Sequence, residues 1–175
     1  NNILPLNIKN IKNLAVIGPN AVDIHLGGYS FEPREGVSVL DGFKKKGEGN
    51  FNVLYAKGCG ITTDIGSFWK GDSAKQTDPA EDERLIKEAV AVAKKADAVV
   101  LVLKHLGDRD NLNLRGKQDQ LAAALLATGK PVIVLLLNGR PLSINFLAQK
   151  ASAILEGWYL GQETGNAVAS VVFGE

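Results

Sequence analysis

Methionine is absent from the 175 residues, cysteine occurs once and histidine twice. Without a methionine there is no natural start, so the chain is expected to be processed, excised or engineered. The lone Cys59 excludes an internal disulfide and leaves the redox compartment open. As a nucleophile it would need a base beside it. Neither His25 nor His105 is obviously placed for that, so Cys59 reads as a small apolar filler in a loop after a strand. Charge of one sign is also missing: 20 Lys and Arg stand against 19 Asp and Glu, a formal net charge of +1. This balance gives no electrostatic reason to expect nucleic acid or an anionic membrane as partner. No apolar run reaches bilayer length. The opening Asn1-Asn2-Ile3-Leu4-Pro5 lacks the basic region of a signal peptide. The expectation is a soluble protein whose compartment stays open.

Several motifs are missing as well. Gly18-Pro19-Asn20-Ala21 follows the first strand, where a dinucleotide fold places its glycine-rich turn, but G-x-G-x-x-G is absent. Pro19 also removes a backbone donor that a phosphate would use. There is no Walker pattern, no G-x-S-x-G elbow and no acid cluster after the first strand of the kind a receiver domain needs. No His, Cys or Asp group has metal-ligand spacing. Neither metal nor cofactor is expected.

What is present is a regular alternation of apolar runs and amphipathic segments. Strands are expected at Asn13–Gly18, Phe51–Ala56, Asp97–Leu103, Val132–Leu137 and Ala153–Leu155. Helices are expected at Val37–Lys46, from Asp78-Pro79 onward, at Gly116–Thr128, near Leu142–Ala148 and at Gly165–Phe173, with a short helical turn within Ala21–Gly28. Asp78 suits an N-cap and Pro79 the first helical position. Leu85, Ile86, Ala89, Val90 and Ala93 form the apolar stripe of that helix, with Glu81, Asp82 and Glu83 in its first turn. Strands that are apolar throughout and separated by helices spell a parallel sheet covered on both faces. The fold expected is an α/β, flavodoxin-like three-layer α/β/α sandwich with a mainly parallel sheet of five or six strands. Residues 1–12 read as an incoming linker that lays Ile3, Leu4 and Leu6 against the body, and residues 13–175 as one domain.

In open parallel sheets ligands bind at the carboxyl ends of the strands. The residues expected there are polar, aromatic and acidic. Tyr29 and Phe31 flank Ser30, and Trp69, Trp158 and Tyr159 lie on loops. Asp108, Arg109, Asp110, Arg140, Gln162 and Glu163 follow strands. Aromatic faces combined with bidentate polar groups suit sugar rings. Each has a plainer reading. Asp108 and Arg109 can form a loop ion pair, Trp158 and Tyr159 can plug the core, and Glu163 can favour the start of the last helix.

An ordered set of motifs then carries a resemblance: NILPL, LAVIGPNA, LGGYS with VSVLDGFKKK, ADAVVLVL, LGDRDNLNL with Gln118-x-x-Leu121, TGKPVIVLLLNGRPLSI, and AILEGWYLGQETGNAVASVVFGE. Together they resemble the C-terminal α/β-sandwich domain of family 3 glycoside hydrolases, in the β-glucosidase and β-xylosidase branch, over nearly the whole chain. The resemblance implies a retaining exo-glycosidase of two domains. A preceding (β/α)₈ barrel carries the nucleophile, and the sandwich lends the glutamate acid/base and part of the aglycone subsite. Such chemistry needs two carboxylates about 5 Å apart. The sequence departs from the pattern twice. It has no barrel, and Leu103 runs directly into Lys104-His105-Leu106-Gly107-Asp108-Arg109 where the family carries its acid/base segment. No catalytic residue is therefore carried over. The candidate sugar contacts are Tyr29 and Phe31, in a loop matching the family's Gly-Gly-aromatic loop, with Asp108 and Arg109. Asp108 matches an acid of that loop read as structural. The chain alone is expected to be inactive and to bind a mono- or oligosaccharide weakly at most. A stand-alone non-catalytic scaffold, natural or engineered, and a weak carbohydrate-binding module are the alternatives.

Overall fold

The structure is a computed structural model that describes residues 2–24, 26, 30–31, 33–61, 77–104 and 111–175. Five strands, β1 (Asn13–Ile17), β2 (Asn52–Ala56), β3 (Ala98–Lys104), β4 (Val132–Leu137) and β5 (Ala153–Glu156), alternate with five helices. These are α1 (Val39–Gly47), α2 (Pro79–Lys94), α3 (Gln118–Leu126), α4 (Asn145–Lys150) and α5 (Thr164–Phe173). All strand pairs are parallel, in the order β2-β1-β3-β4-β5. The expected elements are present with ends shifted by up to three residues, except the turn within Ala21–Gly28. Its described residues 21–23 form bends, not helix.

Strand burial explains the layering. β3 is buried from Ala98 to Leu103 and β4 along its whole length. Alternate side chains point to opposite faces. Leu14, Val16, Val100, Val102, Ile133 and Leu135 pack with α1 and α5 through Val39, Phe43, Val168 and Val172. Ala15, Ile17, Val99, Leu101, Val134 and Leu136 pack against Ala89, Leu121, Leu125 and Leu147 of α2, α3 and α4. Right-handed crossovers produce this division. The chain first moves from β1 outward to β2, then doubles back over β1 to β3, so its helices change face.

Local chemistry fixes the helix starts. Ser38 Oγ accepts from Asp41 N at 3.1 Å and donates to Asp41 Oδ2 at 2.7 Å. Asp78 accepts from Ala80 N at 3.0 Å, with Pro79 at the first helical position. Where α1 crosses α5, a Cβ on Gly42 would lie 2.1 Å from Gly165 O, and one on Gly165 would lie 1.9 Å from Ser38 O. Only backbone fits in this crossing. At the amino edge Asp97 Oδ2 accepts from Lys12 N at 2.7 Å and Asn13 N at 2.8 Å. Those two backbone hydrogen bonds hold its carboxyl below the ordinary range. Leu6 is buried, and its N–H donates to Val172 O at 2.8 Å, so the lead-in segment packs on α5 as its apolar residues suggest.

Candidate functional site at the carboxyl edge of the sheet

The order in which strands are added across the sheet reverses between β1 and β3, so the carboxyl ends of these parallel strands border the crevice where sheets of this order bind ligands. β1 ends at Ile17, and the Gly18 that follows has a φ of +143° and a position where a Cβ would meet Val102 O at 2.1 Å. No side chain can stand there, so β1 and β3 lie flush. β3 ends at Lys104. Burial lowers the pKa of its ammonium, and the nearby Asp23 opposes that shift.

The end of β3 is held by Gln118, a fully buried side chain at the start of α3. Its Oε1 accepts from Lys104 N at 2.9 Å, and its Nε2 donates to Lys104 O at 2.8 Å and to Arg115 O at 3.0 Å. This one amide satisfies both backbone groups of the last strand residue. A lone glutamine gives no hint of this in sequence. The only signal was the Gln118-x-x-Leu121 spacing, in which both side chains prove to be buried.

The neighbouring strand ends are equally committed. Asn138, after β4, is fully buried. Its Nδ2 donates to Arg140 O at 2.8 Å and to Glu156 Oε2 at 3.3 Å, while its Oδ1 has no partner among the described residues. Glu156 Oε1 accepts from Trp158 N at 3.3 Å. Trp158 takes a left-handed φ of 51° and is 47% exposed, beside the part-exposed Tyr159 and Leu160. The aromatic pair is therefore not a core plug but forms an apolar surface strip beyond β5. Glu163 lies just before α5, and its carboxylate accepts from Asn166 Nδ2 at 2.5 Å. That fits its plainer role at the helix start.

After β2, Asp82 is buried although its place in an acidic first turn suggests a solvated charge. Its carboxylate accepts from Gly60 N at 2.8 Å and from the Thr77 hydroxyl. Those bonds clamp the Gly58-Cys59-Gly60 loop onto α2. Cys59 is fully buried, and burial, reinforced by Asp82, pushes its thiol up to about 12. It is filler, as expected, and far from a thiolate nucleophile. Among the described residues no group of three His, Cys, Asp or Glu could hold a metal ion, and no helix is long and apolar enough to cross a membrane.

Of the expected sugar contacts, only Phe31 falls among the described residues, and it is 96% exposed. Tyr29, Asp108 and Arg109 lie outside them, as do His25, Trp69, His105 and Asp110.

Comparison with known proteins matches residues 1–175 to the glycosyl hydrolase family 3 C-terminal domain. A β-xylosidase of Formosa agariphila is 48% identical over the whole chain, which covers 24% of that protein. A periplasmic β-glucosidase of Salmonella typhimurium is 38% identical, again over the whole chain and 25% of its own length. Among solved structures, a β-glucosidase from Erythrobacter marinus superposes on 99% of the chain, and 26% of its own, at a TM-score of 0.87 with 42% identity. The chain thus spans about a quarter of the length of these relatives. With that match running from end to end over a five-stranded parallel α/β sandwich, the chain belongs to the C-terminal domain family of the family 3 glycosyl hydrolases.

Proposed function

We propose that this domain forms the aglycone-side wall of the cleft in a retaining exo-β-glycosidase of β-xylosidase or β-glucosidase type. On this reading a (β/α)₈ barrel elsewhere in the enzyme supplies the nucleophile, and residues 1–12 lead from it into the sandwich. Tyr29, Phe31, Asp108 and Arg109 make the sugar contacts. The isolated chain does not hydrolyse glycosides. The observation that carries the reading is the end-to-end match to a β-xylosidase and a β-glucosidase, each about four times longer than this chain. Both alignments, over 190 and 189 positions, are longer than the chain itself. That supports a family segment being missing here, as the direct run from Leu103 into Lys104 suggests. The carboxylates at the edge also support inactivity. Three of them, Asp82, Glu156 and Glu163, are hydrogen-bonded to the protein's own donors, whereas retaining hydrolysis needs two facing acids left available.

The test is direct. The purified chain, incubated with aryl β-xyloside and aryl β-glucoside, is expected to release no phenol above a heat-denatured control. Turnover that follows the folded chain through purification overturns the reading.

A further inference from the structure

An open surface pocket of about 350 Å³ lies where α3, the segment before it and the start of α4 meet. Its frame is anchored by the hydrogen bond from Ser143 N to Leu112 O at 2.8 Å. The buried Leu147 and half-buried Ile144 form the apolar floor, with the exposed Ala123 and the ring of Phe146, 44% exposed, at its sides. Four polar side chains complete the lining: Asn113, Asp119, Ser143 and Asn145. None of the four makes a side-chain hydrogen bond or ion pair with another protein group among the described residues, in contrast to the committed groups at the strand ends. Asp119 stands on the exposed side of α3, yet desolvation by the cavity walls raises the pKa of its carboxyl.

We propose that this cavity is a non-catalytic binding site for a single neutral pyranose unit. Its volume falls in the range of small-ligand pockets. Vicinal equatorial hydroxyls of a pyranose can donate together to one carboxylate, here Asp119. Carboxamides both donate and accept, so Asn113 and Asn145 can take hydroxyls of either sense. The Phe146 ring offers an apolar face to the ring C–H groups. The alternatives fit less well. A divalent cation seeks six or more oxygen ligands with several carboxylates, and the cavity holds one. A phosphate or carboxylate ligand would be repelled by Asp119, and no Lys or Arg lines the cavity. The site depends neither on the parent enzyme's catalytic reaction nor on Phe31.

The experiment is an amide NMR titration of the chain with xylobiose, with the acyclic xylitol as comparison. Saturable shifts at Asn113, Asp119, Ser143, Asn145 and Phe146 are expected with xylobiose, and none of comparable size with xylitol. D119N alters an exposed side chain without a protein partner among the described residues, and circular dichroism and urea unfolding of D119N and F146A check that each variant keeps the fold. Each is expected to weaken binding by about tenfold, the typical effect of losing one charge-assisted hydrogen bond or one aromatic contact. No saturable shift at these five residues overturns the proposal, as does equal binding by D119N or equal response to xylitol. Shifts confined to the neighbourhood of Phe31 overturn it too, while supporting the separate contacts assigned above.

Discussion

Replacing Gln118 by leucine isolates the polar part of the clamp at the end of β3. Leucine has nearly the same volume and keeps the buried position filled, so little cavity penalty enters. Three hydrogen bonds disappear, and Lys104 N–H, Lys104 C=O and Arg115 C=O lose their partner. At about 1 kcal/mol net for each bond the loss is about 3 kcal/mol, with water reaching Lys104 as the main way to reduce it. For a chain of this size that lowers the melting temperature by about 6–12 °C. Urea unfolding followed by circular dichroism gives the free energy, and hydrogen exchange at the Lys104 amide shows whether the end of β3 has opened. Gln118→Glu adds a second check. Its carboxylate can still accept from Lys104 N–H, but at neutral pH it faces the carbonyls of Lys104 and Arg115 with no proton to donate. Those carbonyls disfavour the charged form and raise its folded pKa above the unfolded value. The destabilisation is therefore greatest above the folded pKa and shrinks as pH falls through it. A loss below about 1 kcal/mol for the leucine variant, with unchanged exchange at Lys104, refutes the view that this amide closes the strand end.

The α1–α5 crossing leaves no room for a methyl group, because the obstacle on each side is backbone. Gly42→Ala and Gly165→Ala should each cost about 2–4 kcal/mol in urea unfolding, since helices must separate to admit the Cβ. Asp97 supplies a pH dependence. Its folded pKa lies below the unfolded one because of the Asn13 and Lys12 amides. Its contribution is thus present above the ordinary carboxyl range and is lost as pH falls through the depressed folded value. Asp97→Asn should flatten the acid limb of a stability-against-pH profile, and an unaltered limb argues against the bonds. Cys59 should resist iodoacetamide in the native state at neutral pH and react only in urea, because its thiol is buried and pushed up to about 12. Rapid native alkylation contradicts that placement.

Sequence legibility follows how much of a residue's role is local. The strands β3 and β4 were readable because a parallel sheet covered on both faces needs unbroken apolar runs, and Ala98–Leu103 and Val132–Leu137 supply them. The start of α2 was readable because the Asp78 cap and Pro79 act within one turn. The roles of Gln118 and Asp82 were not. Each bonds backbone brought close only by the fold: Gln118 reaches back 14 residues to Lys104, and Asp82 reaches back 22 residues to Gly60. Both look in sequence like ordinary polar residues opening a helix. Trp158 and Tyr159 were ambiguous for a related reason. An aromatic after a strand can turn inward or outward, and the left-handed backbone at Trp158 belongs to a turn that no local motif announces. The order β2-β1-β3-β4-β5 is not spelled by periodicity, since alternation of strands and helices is common to many α/β arrangements.

Several described polar groups at the carboxyl edge of this sheet serve fixed geometry. A general acid must keep a proton, or a place for one, available to a substrate. Glu156 instead accepts from Asn138 and Trp158 N, joining the ends of β4 and β5, and Asp82 accepts from Gly60 N and Thr77. Gln118 closes β3, and flush packing at Gly18 excludes a side chain just after β1. Moving any of these groups toward a substrate would break a strand end that it secures. Within the described residues, the large apolar side chains accessible near this edge include Phe31 and the strip of Trp158, Tyr159 and Leu160, while Asp23 after β1 and Asp119 after β3 are exposed carboxylates. The apolar and aromatic part of this surface can shape a subsite or meet another domain. Among the described residues, the carboxylates of Asp82 and Glu156 are engaged in holding strand ends and loops together rather than left facing a substrate.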